Sequence, residues 1–181
     1  MCTLFIEGTG DHRDLPAFPP RRSSVLHGEM RRDEREITDP ADIDAILTQE
    51  RVMYIALSSD DVPFVLPVFY VWNGTSLYFH SARGGSKIEI MKKNPAICFA
   101  ITHYGGVIED ELACNFEARH RTVIGLGSVS FVQDDAEKIA MLHQLMARFT
   151  EKTFTFPAAN LTATQVIRID VASMKGKQHG F

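Results

Sequence analysis

The sequence predicts a mostly β protein of the α+β class, with about six antiparallel strands in a barrel or sheet and about three short helices. Two observations support this fold class. Asn73-Gly74, between two apolar runs, is the strongest hairpin signal in the chain. Most other strand-like segments are joined by links too short for the crossovers of a parallel, doubly wound fold.

The beginning of the chain differs in composition from the rest. Residues 1–33 contain Pro16, Pro19-Pro20 and two arginine pairs, Arg21-Arg22 and Arg31-Arg32, with few periodic apolar positions. We expect a partly irregular N-terminal arm over 1–33 and one domain over 34–181. A basic arm could bind nucleic acid, but the net charge of −4 favours a solvated linker.

Apolar runs and turn signals define the strands. Asp60-Asp61 predicts a turn, and Pro63 and Pro67 place the following strand at a sheet edge or a bulge. The predicted strands cover residues 52–58, 62–72, 76–81, 96–103, 122–132 and 164–171. Residues 154–161 are predicted to form a loop, and 174–181 a polar tail.

Capping residues mark where the helices start. Asp39-Pro40 fits an N-cap followed by proline at the first helical position. A second helix is predicted to begin near Ser86 and to end before Pro95. Asp134, with Glu137 three residues later, predicts the start of a third and longer helix. The expected buried stripe of this helix consists of Ile139, Leu142, Leu145, Met146 and Phe149.

Bulk composition argues against several classes of protein. The 181 residues are 45% hydrophobic and 23% charged, as in an ordinary globular domain. The net charge argues against a nucleic-acid partner, and no run is long and apolar enough to span a membrane. With no signal-peptide pattern, we expect a cytoplasmic protein. Cys2, Cys98 and Cys114 form no Cys-x-x-Cys pair, so we expect reduced thiols and no metal site.

The stretch from Leu77 to Pro95 carries the clearest functional signal. It predicts a strand ending near His80-Ser81, a loop of small residues, and a helix beginning near Gly85-Ser86-Lys87. Free backbone N–H groups at a helix start suit a phosphate, and Lys87 adds a full charge. We therefore expect a phosphate-bearing ligand. Known nucleotide motifs do not fit, since Gly125-Leu126-Gly127 lies within a strand and lacks the third glycine.

Four blocks of sequence, in order and at family-like spacing, carry a resemblance to a known family. The blocks are RRDEREITD (31–39), PFVLPVFY (63–70), LYFHSA (77–82) with Gly85-Ser86-Lys87 and Asn94-Pro95, and ACNF (113–116) with RTVIGLG (121–127). Together they resemble the pyridoxamine 5′-phosphate oxidase-like flavin-binding split barrels, and among these the nitroimidazole-resistance (Nim) type.

The resemblance implies a six-stranded antiparallel split β-barrel that forms a homodimer and binds FMN in a groove between subunits. FAD or a deazaflavin are the alternative cofactors. The cofactor-binding residues that it implies are Pro67, Val68, Phe69, Tyr70, His80, Ser81, Ala82, Ser86, Lys87, Cys114, Asn115, Arg121, Thr122, Val123, Lys175 and Lys177. Ser86 stands where the family usually has arginine.

The resemblance also implies an activity. It points to an FMN-dependent oxidoreductase that reduces a small electron-poor, nitroaromatic-like substrate with a reduced nicotinamide donor. His80 is the candidate catalytic residue, because an imidazole titrates near neutral pH and can deliver a proton. His80 could equally hydrogen-bond the cofactor or the backbone. Two alternatives stay open: a non-catalytic flavin- or haem-binding dimer in storage, sensing or antioxidant defence, and a pyridoxamine-phosphate-oxidase-like enzyme.

Overall fold

The fold comes from a computed structural model, which describes residues 30–181. The strands are β1 (Glu36–Ile37), β2 (Val52–Ser59), β3 (Val62–Phe69), β4 (Val71–Trp72), β5 (Ser76–Ala82), β6 (Ala96–Ile108), β7 (Glu117–Phe131) and β8 (Thr164–His179). The helices are α1 (Pro40–Gln49), α2 (Ser86–Lys93), α3 (Asp135–Ala147) and α4 (Ala158–Ala163). The predicted arm lies mostly outside the described residues, and its boundary at residue 34 stays a prediction.

One antiparallel sheet contains all the strands of the described residues. Its order is β3-β2-β6-β7-β8-β5-β4, and β1 pairs with β8. β3 and β4 lie at opposite ends of this order, yet only Tyr70 separates them in the chain. The two ends of the sheet must therefore lie side by side, which curls the sheet into a barrel. No ladder between described residues joins β3 to β5, so the barrel is split there. The predicted α+β fold with an antiparallel split barrel is confirmed.

The structure has eight strands where the sequence predicted six. The predicted strand 62–72 divides at Tyr70, whose ring is fully buried and whose hydroxyl donates to the carbonyl of Leu47 at 2.8 Å. This residue carries the chain from one end of the sheet to the other. β1 is only two residues long, too short to show a periodic pattern. The expected edge position of the proline-containing strand is confirmed, since β3 ends the sheet.

Three strands run further than predicted, and one of them, β7, begins at Glu117 rather than at residue 122. β6 continues beyond His103 through an irregularity in its pairing with β7 between Tyr104 and Val107. β8 extends to His179, so the predicted polar tail is wrong. Backbone pairing with β7 and β1 holds this segment in the sheet, and ladder hydrogen bonds do not depend on side-chain polarity. The predicted loop 154–161 is also partly wrong, because α4 begins at Ala158.

Helix starts follow the capping signals. Asp39 Oδ1 accepts a hydrogen bond from the Ala41 N–H at 2.8 Å, and Asp134 Oδ1 accepts one from the Glu137 N–H at 2.7 Å. In α3, Leu142 and Leu145 are buried as predicted. Phe149 is not part of the buried stripe, because α3 ends at Ala147 and the ring is 43% exposed.

Two apolar clusters divide the interior. The larger fills the barrel and includes Met53, Ile55, Phe79, Phe99 and Ile167. The smaller lies between α3 and the outer face of β5, where Tyr78 and Val166 meet Leu142. Side chains alternate along a strand, so β5 sends Phe79 into the barrel and Tyr78 towards α3. His80 follows Tyr78 on the outer face.

Candidate functional site

An open pocket of about 280 Å³ lies beside the split in the barrel. Its volume is near the lower end of the range of about 300–1,000 Å³ for small-molecule sites. Its lining consists of Val52, Pro67, Val68, Phe69, His80 and Lys87. These residues come from β2, β3, β5 and α2, so the pocket exists only because the barrel brings both ends of the sheet together.

Five of the predicted site residues line this pocket, and the sixth lining residue, Val52, was missed. Val52 lies directly opposite Phe69 in the β2–β3 ladder. The sequence signal that could have found Val52 is Asp60-Asp61, which predicts a turn. In the structure these two residues form a two-residue turn with positive φ angles of 53° and 61°. Such a turn sets the register of a hairpin, and that register puts Val52 beside Phe69.

His80 and Lys87 form the polar side of the pocket. Burial by the surrounding protein lowers the pKa of His80 below 6.5, and the nearby Lys87 charge lowers it further. Both effects disfavour the protonated ring, so the neutral imidazole predominates at pH 7. No carboxylate of residues 30–181 forms an ion pair with Lys87. Within this part of the chain, the charge of Lys87 is thus not compensated by a carboxylate.

The start of α2 adds backbone donors next to Lys87. Gly85 is the N-cap and has a φ of 105°, which favours glycine at this position. The first intrahelical bond runs from the Ile88 N–H to the Gly85 carbonyl, so the N–H groups of Ser86 and Lys87 precede it. No side chain caps this end of the helix. Ser86 and Lys87 therefore present N–H groups and a cation together, as predicted for a phosphate-bearing ligand.

The other predicted residues of this stretch point in different directions. Ser81 faces the barrel interior, and its buried hydroxyl has no hydrogen-bond partner among the described residues. Ala82 is exposed at the end of β5. Tyr70 lies in the core, where burial raises the pKa of its phenol well above 10. Tyr70 is therefore a structural residue, and it does not line the pocket.

Lys175 and Lys177 lie on the same outer face of the sheet as the pocket wall. Pro67, Tyr54, Ala100, Ile124 and Lys175 are paired in sequence across β3, β2, β6, β7 and β8. Directly paired residues share a face of the sheet. Four strand spacings of about 4.8 Å separate Pro67 from Lys175, or roughly 19 Å along the sheet.

Thr122 also belongs to this outer face, whereas its two neighbours do not. Its hydroxyl lies 3.2 Å from that of Thr102, and Thr122 pairs with Lys177. Val123 is fully buried in the barrel. Arg121 shares the face of Val123, and its guanidinium lies 4.3 Å from the ring centroid of Phe181. Within one protomer, Arg121 and Thr122 therefore point away from each other.

Cys114 and Asn115 lie at the far end of the β6–β7 hairpin. Both are exposed in the 3₁₀ turn Ala113–Asn115, and the Asn115 amide donates to Asp110 Oδ1 at 3.2 Å. Neither residue lines the pocket. Among residues 30–181, no group of three His, Cys, Asp or Glu side chains is placed to hold a metal ion.

Residues 39–178 match the sequence model of the pyridoxamine 5′-phosphate oxidase family. This chain belongs to that family. The match includes both sides of the pocket and the outer-face lysines. No protein with a curated description matches the sequence. Within residues 30–181, no helix has the length and apolar character needed to cross a membrane.

Solved structures share the fold of this family member. A candidate 5-nitroimidazole antibiotic resistance protein from Bacteroides thetaiotaomicron is 25% identical with a TM-score of 0.71, over 79% of this chain and 86% of its own. A flavocytochrome from Azotobacter vinelandii is 23% identical with a TM-score of 0.77, and the match covers 90% of this chain and 77% of the flavocytochrome. An FAD-binding protein from Mesorhizobium loti is 22% identical with a TM-score of 0.62, and the match covers 81% of this chain and 98% of that protein. The last two show the fold alone.

Proposed function

We propose that the protein is an FMN-dependent oxidoreductase that reduces a small electron-poor, nitroaromatic-like substrate with a reduced nicotinamide donor. The pocket beside the split carries this proposal. It joins an apolar wall, formed by Val52 and Pro67–Phe69, to a polar side with an unpaired cation at a helix start. A ligand with a planar ring and a phosphate suits that combination. The Bacteroides protein, described as a candidate for nitroimidazole resistance, supports the substrate class.

The described residues suit a flavin mononucleotide. Lys87 and the N–H groups of Ser86 and Lys87 would hold the phosphate, and Pro67–Phe69 would lie along the ring. FMN, when bound, would supply the electron-transfer chemistry. His80 would hold a proton at a ring nitrogen beside the substrate, since no described residue hydrogen-bonds its imidazole. The related flavocytochrome and FAD-binding protein support a flavin as the cofactor class.

A homodimer with the cofactor between subunits is part of this proposal. The outer face of β2 and β7 exposes large apolar side chains, including Tyr54 (53%) and Ile124 (36%). Contiguous exposed apolar surface of this kind marks an interaction site. Lys175, Lys177 and Thr122 lie on the same face but not in the pocket of their own protomer. A second copy packed on this face would bring its own basic residues towards the pocket.

The experiment that tests the cofactor is spectroscopic. The purified full-length protein should be yellow, show flavin absorbance, and release FMN that mass spectrometry identifies. Addition of NADH or NADPH without oxygen should bleach the flavin, and a nitroaromatic compound should then restore the colour. A colourless protein that takes up no flavin would contradict the proposal. A Soret band would instead favour a haem protein, and flavin without bleaching a storage or sensing role.

Lys87→Ala tests the placement of the phosphate. Removing this charge should weaken FMN binding by roughly 10- to 150-fold, because a charge-assisted hydrogen bond contributes about 1.5–3 kcal/mol. Lys92→Ala is the matched control, since Lys92 lies on the same helix but pairs with Glu89 at 3.0 Å. Titration of the apoprotein with FMN measures both affinities. Equal affinity in wild type and Lys87→Ala would remove Lys87 from the phosphate site.

A further inference from the structure

The apolar wall of the pocket continues beyond Phe69 onto residues that the proposed function does not use. The ring of Phe69 packs edge-on against that of Phe149, with centroids 5.1 Å apart and an interplanar angle of 77°. The guanidinium carbon of Arg51 lies 5.5 Å from the Phe149 ring centroid. Arg51 directly precedes Val52, which lines the pocket. We call Arg51, Phe69 and Phe149 the aromatic shelf.

The two rings of the aromatic shelf contribute little to the core. Phe149 is 43% exposed and Phe69 53% exposed, and neither belongs to the buried clusters of the described residues. Phe149 lies beyond the end of α3, on the segment that leads away from it. Edge-to-face pairs of aromatic rings leave ring surface available for another planar group. Beside a concave pocket, such exposed rings are typical of a ligand site.

Arg51 adds a positive charge that no described residue neutralises. No carboxylate of residues 30–181 forms an ion pair with it. A guanidinium next to an aromatic ring keeps its N–H donors free at the edge, and its planar fork matches a carboxylate. The preceding residue, Glu50, is engaged with His103 at 2.7 Å. The charge of Arg51 is therefore available to an anionic ligand.

We propose that the aromatic shelf selects the substrate of this site: it binds a planar aromatic compound that carries a carboxylate. The ring of the compound contacts Phe69 and Phe149, and its carboxylate accepts hydrogen bonds from Arg51. Lys87 lies on the other side of the pocket, where it would bind the phosphate of the cofactor. The role in substrate choice rests on the proposed function, but the binding preference can be measured without it.

Calorimetric titration of the purified full-length protein with 4-nitrobenzoate and 4-nitrobenzamide tests the shelf. The two compounds share a nitroaromatic ring and differ in charge. Wild type should bind the carboxylate at least roughly fivefold more tightly, because a hydrogen-bonded charge pair adds to ring contact. Arg51→Gln should remove this preference and leave the affinity for the amide unchanged. Phe149→Leu should weaken the binding of both compounds.

Lys152→Gln is the matched control, since it removes one exposed positive charge from the same loop as Phe149 without touching the shelf. Its affinities should equal those of wild type. Equal binding of the two compounds by wild type, binding of neither, or an unchanged preference in Arg51→Gln would overturn the inference. So would a Phe149→Leu variant that becomes monomeric but keeps both affinities, because Phe149 would then serve contact between copies.

Flavin content measured on the same samples separates the two proposals. Protein without flavin contradicts the proposed function, while its titration still decides whether the shelf prefers a carboxylate. Protein with flavin but without that preference contradicts the shelf alone. In active enzyme, Arg51→Gln should raise the KM for 4-nitrobenzoate and leave kcat and the KM for the amide near wild type.

Discussion

At the scale of single residues, the interplay of His80 and Lys87 defines the polar side of the pocket. Both were recognisable from the sequence as a polar strand end and a helix-start cation. The direction of the His80 pKa shift was not, because it depends on burial in the folded protein and on the position of Lys87. A histidine with its ordinary pKa would be partly protonated near neutral pH. The lowered pKa instead favours an imidazole that hydrogen-bonds as the neutral ring.

Lys87→Ala should raise the pKa of His80 without restoring it fully to 6.5. The variant removes the repulsion between two positive charges, whereas the desolvation of the imidazole remains. NMR titration of the His80 ring protons measures the shift. Lys92→Ala should leave the titration unchanged, since burial and Lys87 are the causes of the lowered pKa. An unchanged His80 pKa in Lys87→Ala would show that the two side chains do not interact.

The same pKa gives stability a pH dependence of definite sign. The folded pKa of His80 lies below the unfolded value of about 6.5, so the unfolded chain binds the proton more readily. This contribution to the free energy of unfolding is present above pH 6.5 and is lost as the pH falls through the folded pKa. His80→Gln should therefore lose less stability than wild type between neutral and mildly acidic pH, as urea unfolding would measure.

At the scale of elements, β7 shows how a strand is shaped by its neighbours. Gly125 was correctly excluded from a dinucleotide motif because it lies within a predicted strand. Tertiary packing explains why this position is glycine. A Cβ at this position would lie 2.2 Å from Cζ of Phe99 and 2.9 Å from the carbonyl oxygen of Ser173 on β8. The close packing of β7 against β8 and against the barrel interior requires the missing side chain.

Gly125→Ala should lower the free energy of unfolding by about 1–3 kcal/mol, the usual cost of an extra methyl group in a packed core. Phe99 is buried in the barrel and the Ser173 carbonyl belongs to the backbone, so neither can move freely. Urea unfolding followed by circular dichroism measures the loss. Gly84→Ala is the control, because a Cβ there meets no atom within 4 Å. Similar stability of the two variants would contradict the packing argument.

The ends of the helices show what sequence patterns cannot predict. The caps Asp39 and Asp134 accept hydrogen bonds from residues two or three positions away, so the sequence alone places the starts of α1 and α3 correctly. Phe149 fits the apolar spacing of α3 equally well, yet it lies beyond the helix and packs on Phe69 of a distant strand. Apolar spacing cannot distinguish a buried residue on the helix from a residue just beyond its end, because both place an apolar side chain at the same interval.

At the scale of the whole molecule, the outer face of the sheet is the proposed contact between subunits. Ile124 lies in the row that links Pro67 to Lys175, between Ala100 and Lys175. Ile124→Glu would place a charge in the proposed contact between subunits. We expect a shift from dimer to monomer and weaker retention of FMN, because the site would lose the residues of the partner.

Light scattering during size-exclusion chromatography measures the mass, and absorbance measures the flavin. Gln144→Glu, an exposed position on α3, is the control and should stay dimeric. Dimeric Ile124→Glu with full flavin content would place the contact between subunits elsewhere. A monomeric wild type would contradict the proposed homodimer itself.

Local signals in the chain were sufficient for the hairpin turns, the helix caps, the edge strand with its prolines, and the pairing of a strand end with the Gly85-Ser86-Lys87 helix start. Each depends on residues a few positions apart. Tertiary structure alone decided that β3 and β5 meet across a split, that Arg121 faces away from Thr122, and that Phe149 joins Phe69 and Arg51 beside the pocket. Closure of the barrel brings together residues from distant parts of the chain, and no local pattern records which of them meet.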